Sequence, residues 1–452
     1  MKKKIVSILL VAAMTVTMLA GCGNSSAETA ESAPAGTESA EAEQPAEAEE
    51  TAEAGGDAKT VTIWTWDYDN TLMMADAFEA ANPGITVEVV NVAFSDYYTK
   101  IQQAVSSGSE LPDIVAQSCT LLKNYGELGI FEDLSKEPYN VDSSLFFDYI
   151  KDRAIMEDGS LIGIEESVSP SAIAYKRDLA KEYFGTDDPD ELAAMFAKTE
   201  DYITYGKEVQ EKSGGQAYLF HSAGAVAEWL YFADNTQLET DGTINFTDKM
   251  TSTVDLLTEM RDNKVVDTYE NGTAQANATY SDDLHIMYPC PNWAINYYIK
   301  ANDPDGSGNW GLMMPATGGY SCGGTSLGIT NTSEVKDEAW QFIHWCLMTR
   351  EGAEMMRDKL NFFVATKEFY DDTDFIGGAD EFFGGQDIET FLYKNIAESI
   401  GTLNVSKYDQ TVIDIRDLLS TAIMDDSGMT AEDALVKGLE EAKTRIVDMD
   451  VK

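Results

Sequence analysis

The chain of 452 residues is poor in several things that would have assigned it a chemistry. It has three histidines, His221, His285 and His344, scattered along the sequence, and no pair at a metal-ligand spacing. Cysteine is scarce at five, and Cys119, Cys290, Cys322 and Cys346 match no CxxC pattern. They read as small buried hydrophobes; an extracellular setting would permit a disulfide, with Cys290 and Cys322 the favoured pair beside Gly- and Pro-rich turns. Cations are few: 31 Lys and Arg against 79 Asp and Glu, a net charge of −48. Such a surface repels phosphate backbones, which excludes nucleic acid as a partner. A long apolar run is also missing. Residues 5–20, "IVSILLVAAMTVTMLA", form a stretch of 16, short of the ~20 a spanning helix needs, and it follows Lys2, Lys3 and Lys4. That pattern reads as a secretory signal over residues 1–21.

The run closes on "LAGC", which resembles the lipobox of bacterial lipoproteins. The resemblance implies that Cys22 becomes a lipidated N-terminus, and two acyl chains suffice for stable anchoring. Residues 24–57 then hold ten carboxylates, no cation and no aromatic residue. They cannot bury enough apolar surface to order themselves, so 22–57 reads as an acidic tether. A net −7 lies in residues 1–57, which leaves −41 on residues 58–452.

That body is too long for one core, and two lobes are expected. "TVTIWTW" (60–66), "LMMADAFEAAN", "ITVEVVNV" (85–92), "SDYYTKIQQAVSSG" and "LPDIVAQ" (111–117) alternate strand and helix. Met74, Ala77, Phe78 and Ala81 are expected to face inward on the first helix, and Tyr97, Ile101 and Ala104 on the second. Ser95 is its expected N-cap and Gly108 its stop. The alternation implies a parallel sheet flanked by helices, an α/β fold. "LIGIEESVSPSAIAYKRDL" (161–179) reads as two extended segments around a proline, "LHIMYPCP" (284–291) as a strand and "NWAINYYIK" (292–300) as a helix start.

The order of these segments resembles extracellular solute-binding protein family 1, the maltose and multiple-sugar branch that serves ABC importers. "VTIWTW", "GSLIGIEESVSPSAIAYKRDL", "NWAINYY", "GGTSLGITNTSEVKDEAWQFIHWCL" and "TAEDALVKGLEEAKTRI" carry the resemblance across the whole body. It implies two hinged lobes of a type II periplasmic-binding-protein-like fold, each a mostly parallel sheet, here 58–168 with 327–380 and 169–326 with 381–452. Crossings are expected near 167–172, near 325–328 and within 375–390. It implies a monomer that captures a carbohydrate and passes it to ABC permease subunits driven by a cytoplasmic ATPase, with no cofactor and no catalysis. The setting is the outer face of the cytoplasmic membrane. A cationic, polyamine-like ligand is the alternative within binding, and an extracellular glycosidase the alternative among enzymes.

Ligands of open α/β sheets sit beyond the strand ends. This selects Trp66 and Asp67 after the first strand, Gln117 after the third, and Trp293 at the start of a helix. Tyr97, in the first turn of its helix, and Trp229 join them, with Glu165 and Glu166 before a crossing, Tyr320 and Ser321 before another, and Phe363 in a helix break. Aromatic rings cover the apolar faces of a pyranose, and carboxylates and amides bond its hydroxyl edge. Of the two tryptophans in "TIWTW", Trp64 is assigned to the core and Trp66 to the cleft. "GTSLG" (324–328) matches the G-x-S-x-G nucleophile pattern, but strand sequence follows Ser326, and no acid-histidine order is completed. "DPDGSGNWGLMM" (303–314) starts like a calcium loop and ends on Met314 in place of a bidentate Glu, so it reads as a turn.

Overall fold

The computed structural model describes residues 59–452. Cys22, the apolar leader and the acidic tether lie outside them.

Two five-stranded sheets organise the chain. The first has the order Ile85–Asn91, Lys59–Thr65, Ile114–Ser118, Thr325–Ile329, Ile164–Glu165. The second runs Trp310–Met313, Pro170–Lys176, His285–Pro291, Tyr218–Phe220, with Tyr320–Ser321 also on Pro170–Lys176. The three strands that open the chain pair in parallel through helices Tyr68–Ala81 and Phe94–Ser107, as strand-helix alternation requires. Both sheets are mixed rather than mostly parallel. Thr325–Ile329 is antiparallel to both its neighbours, and Pro170–Lys176 is antiparallel to three strands. Chain passing between two sheets enters each from the far end, and no local pattern encodes that direction.

The passages are short. Chain leaves the first sheet at Glu165 and joins the second at Pro170; it leaves the second at Ser321 and rejoins the first at Thr325. A later passage follows Tyr370, which packs on Phe147, and ends where Gln386 exchanges two hydrogen bonds with the Leu312 backbone (2.8 and 2.9 Å).

Burial follows the period of each element. Along Pro170–Lys176, Ala172 and Ala174 face one apolar cluster while Ile173 and Tyr175 face another, so the strand is covered on both sides. On the first helix the buried stripe is Thr71, Met74, Ala75 and Phe78. It is turned from the expected one, with Ala77 half-buried and Ala81 exposed, and the buried Thr71 hydroxyl is satisfied by the Asp67 carbonyl one turn earlier (2.8 Å). Tyr97, Ile101 and Ala104 line the second helix, and Gly108 ends it in the left-handed region at φ +66°. Ala93 caps that helix in place of Ser95, which is its second residue. Cys119, Cys290, Cys322 and Cys346 are buried free thiols, so the favoured disulfide does not form.

His285, at the start of its strand, sits between two carboxylates, Nδ1 2.7 Å from Asp282 and Nε2 3.0 Å from Asp267. Lys176 approaches the same Asp282 (3.5 Å), Tyr218 stacks on the imidazole, and Tyr269 and His221 lie near. Burial alone would lower the His285 pKa, but the two carboxylates outweigh it and raise it. A raised folded-state pKa gives stability that is complete below the unfolded value of ~6.5 and is lost as pH rises through the folded value. Denaturant midpoints measured from pH 5.5 to 9 are expected to fall on the alkaline side, and His285→Gln is expected to flatten that slope. An unchanged slope in the variant would remove His285 as its source.

Candidate ligand cleft

The site is built around the two short passages between the sheets. Glu166 N donates to Thr325 O (2.8 Å) and Cys322 N to Ser169 O (3.2 Å), so the passages lie side by side. Gly323 and Gly324 have φ of +86° and +120°, where L side chains are strained. The space around them is also taken. A Cβ on Gly323 would lie 2.7 Å from Trp293 Nε1, and one on Gly324 2.3 Å from Glu165 Oε1. Trp293 Nε1 donates to Cys322 O (3.0 Å), and Arg153 Nη1 to Gly323 O (3.1 Å). The Gly-Gly passage is thus held from the second body by an indole and from the first by a guanidinium.

Arg153 is 4% exposed and Glu165 1%. Their ion pair, Nη2 to Oε1, is 2.6 Å. Burial raises the Glu165 carboxyl and Arg153 pulls it back, leaving it at about 7. Glu165 Oε2 and Arg153 Nε have no partner.

On one wall stand Trp66 and Asp67, at the end of the first strand. The Trp66 ring meets Phe94 (5.2 Å) and Tyr97 (4.8 Å) edge to face. On the other stand Trp293 and, one turn on, Tyr297. The Tyr297 hydroxyl bonds Asp67 at 3.1 and 3.3 Å and also accepts from Asn70. This contact joins the two bodies at one end of the cleft. At the other end Thr120 donates to Gln410 (2.7 Å), Leu403 N to Asp152 (2.9 Å), and Lys407 pairs with Glu127 (2.8 Å). At that second end lies a cavity of about 60 Å³ bounded by Thr120, Arg153, Ser321, Tyr231, Lys249 and Asp409. The contacts at both ends draw the bodies together in this state.

The expected site residues divide. Glu165, Glu166, Trp293 and Ser321 lie on or against the passages, Ser321 also lines the cavity, and Trp66 and Asp67 stand on the first body's wall. Trp64 and Trp66 are both half-buried, because residues two apart share a face of a strand; Val61, Ile63 and Thr65 point into the core instead. The assignment of Trp64 to the core is therefore corrected: Lys100 covers its ring at 4.2 Å. Tyr97 is 2% exposed and acts as a support, its hydroxyl on Trp64 O and its ring beneath Trp66. Gln117 is buried with its amide on Ile162 O (3.3 Å), inside the first body. Trp229 is buried against Tyr202 and Phe220 and donates to Thr317 (2.9 Å), which places it in the second core and away from the cleft. Phe363 is buried in a stack with Tyr393 (3.5 Å). Tyr320 is buried behind Ser321, pairing with the strand Pro170–Lys176. Four of these five turned inward because a strand or helix face carried them there; Phe363 lies between helices, outside any element. Arg153, Lys249 and Tyr297 were not singled out from sequence. Tyr297 had a signal, four residues from Trp293 on one helix face.

Ser326 lies within the strand Thr325–Ile329, buried, with no turn behind it. Asp303 accepts from Trp310 Nε1 (2.8 Å), and residues 303–309 turn into the strand Trp310–Met313; among the described residues no cluster of His, Cys, Asp or Glu has the arrangement of a metal site.

Two α/β bodies joined by paired passages, with an aromatic and acidic cleft at the join, define a two-lobed binding protein. Residues 73–380 match the family model of the bacterial extracellular solute-binding proteins, and the chain belongs to that family. It is a family of binding proteins and not of enzymes, and it acts outside the cytoplasm. The chain is 27% identical over 312 residues to the lactose-binding protein of Rhizobium radiobacter, covering 64% of this chain and 70% of that one. Its fold is similar to a solved extracellular solute-binding protein of family 1 (TM-score 0.75, 20% identity, 85% of this chain and 99% of the other). It is also similar to an ABC-transporter-associated binding protein of B. animalis subsp. lactis Bl-04 solved with β-1,6-galactobiose (TM-score 0.69, 17% identity, 87% and 100%). Among the described residues no helix is long and apolar enough to cross a membrane.

Proposed function

We propose that the protein captures a carbohydrate between its two bodies and delivers it, as a monomer, to an ABC permease powered by a cytoplasmic ATPase. Lipid on Cys22 tethers it to the outer face of the cytoplasmic membrane, and the acidic segment 22–57 spaces the body from the surface. The lobes comprise 58–168 with 327–380 and 169–326 with 381–452. The observation that carries the reading is the facing of Trp66 and Asp67 by Trp293 and Tyr297 from opposite bodies, bridged at 3.1 Å. Flat rings and acceptors on both sides suit a ring with apolar faces and a hydroxyl edge. The similarity to proteins described as binding lactose and galactobiose supports the same class.

Since the Tyr297–Asp67 contact bridges the two walls in this state, the guest enters an open form, and contacts to both walls favour closure. A ligand at ~100 times its Kd stabilises the chain by about 2.7 kcal/mol. Thermal unfolding against a panel of mono- and oligosaccharides is expected to show an upward shift with at least one of them. A shift given only by peptides or by non-sugar cations would refute the carbohydrate class.

A further inference from the structure

The cavity at the second end of the cleft is shared by the two bodies. Thr120 and Arg153 line it from the first, and Tyr231, Lys249, Ser321 and Asp409 from the second. Segment 403–410 of the second body makes the contacts to the first body at this end, and its Leu403 and Val405 add apolar surface to the cavity wall. Most polar groups around the cavity are satisfied. Asp409 accepts from the Tyr231 hydroxyl (2.7 Å) and the Ser406 amide (2.8 Å). Lys249 donates to the Tyr231 and Asp234 carbonyls, Thr120 to Gln410 (2.7 Å), and Asn404 to the Asn235 carbonyl (2.8 Å). Two groups are left over, one from each body: Arg153 Nε and Ser321 Oγ have no partner among the described residues. Ser321 is 2% exposed and Arg153 4%, so both are buried where an unpaired polar group is costly.

We propose that these two groups form a hydroxyl subsite: the guest sends a neutral hydroxymethyl arm into this cavity, where its oxygen accepts from Arg153 Nε and bonds Ser321 Oγ. The proposal rests on the carbohydrate reading and narrows it to sugars with a free primary hydroxyl. A guanidinium N–H only donates and a serine hydroxyl does either, so the complement must accept from one and can donate to the other. An ammonium cannot accept, and here it would also face Arg153 and Lys249; a carboxylate would face Asp409 and Asp234. The methylene of the arm suits Leu403 and Val405. The cavity also adjoins the aromatic platform. Trp293 Nε1 holds the carbonyl of Cys322, the residue after Ser321, at 3.0 Å, and Arg153 Nη1 holds that of Gly323 at 3.1 Å. A hydroxymethyl carries its oxygen one carbon beyond the ring hydroxyls, so it is the group of a pyranose that extends furthest from a ring resting on the indole.

Calorimetric titration of the full chain tests this, using glucose, galactose, mannose, lactose and maltose, each beside the derivatives that lack one primary hydroxyl oxygen. At least one parent sugar is expected to bind at least ~10-fold more tightly than its 6-deoxy form, since a site built to bond a hydroxyl rejects the analogue without it. The preference is expected to be the same at low and high salt, because the arm is neutral. Ser321→Ala is expected to weaken the parent sugar and leave the deoxy sugar nearly unchanged, which brings the ratio towards unity, and Ser321→Thr, which keeps the hydroxyl, to restore it. The comparison of sugars on the wild-type chain stands whether or not the variants fold. Deoxy sugars that bind as tightly as their parents, a preference that survives Ser321→Ala, or binding of other sugars with none of these five would overturn the subsite and leave the carbohydrate reading standing. Binding of a peptide or of spermidine with no sugar of any kind would overturn both.

Discussion

Arg153→Met is expected to destabilise the chain by about 3–5 kcal/mol, the usual cost of leaving one half of a buried ion pair alone. Arg153 and Glu165 are within a few per cent of complete burial, and among the described residues Arg153, at 2.6 Å, is the single cationic partner of that carboxylate. Two consequences separate this effect from lost packing. First, the penalty depends on pH. Glu165 already sits at about 7 with the arginine present. Without it the carboxyl rises further, and a group raised in the folded state loses stability as pH climbs through the window between its unfolded value of ~4.3 and its folded one. The gap between wild type and variant is therefore expected to stay level up to about pH 7, where the carboxyl is protonated in both folded proteins, and to widen as pH climbs above that. Second, Arg153→Met with Glu165→Met removes both charges at once and is expected to recover most of the loss. Denaturant unfolding of the three proteins at several pH values measures both. A pH-independent loss that the double variant does not repair would show that Arg153 acts by volume alone.

Arg153 also marks what local pattern does not reveal. The opening strand-helix alternation was legible because periods of 2 and 3.6 are written in neighbouring residues, as in Ile85–Asn91 and the stripe Tyr97, Ile101, Ala104. Trp293 was legible because a ring at a strand-to-helix junction lies at the rim where α/β ligands bind. Arg153, in "DYIKDRA", sits beside Lys151 on one helix and looks like any surface cation; its partner lies 12 residues on, in a different element. Trp229 and Phe363 failed in the opposite direction. A large ring satisfies a core and a binding platform equally well, and only the neighbours that tertiary packing supplies, Tyr202 for one and Tyr393 for the other, decide between them. Strand direction was lost for the same reason, since antiparallel entry of Thr325–Ile329 depends on where the chain has been, not on its residues.

Trp293→Ala is expected to weaken ligand binding by at least ~30-fold, about 2 kcal/mol, the range of an aromatic anchor at the centre of an interface. In the proposed site the indole has two jobs. Its face is the half-buried platform of the second body, and its Nε1 holds the Cys322 carbonyl at 3.0 Å. Gly323 lies against the same ring so closely that a Cβ there would overlap it. Removing the ring therefore withdraws the platform and releases the passage about which the bodies close. Trp293→Phe divides these effects. It retains a ring for stacking but lacks the donor, whose net worth as a neutral hydrogen bond is about 1 kcal/mol. Affinity in Trp293→Phe is expected to fall between wild type and Trp293→Ala, while its unfolding midpoint drops as far as the alanine variant's if the carbonyl bond is the larger stabilising contact. Titration and unfolding of both variants give the two numbers independently. If Trp293→Ala binds its sugar within ~3-fold of wild type, the ring is no part of the site, and the facing of the two walls loses its meaning.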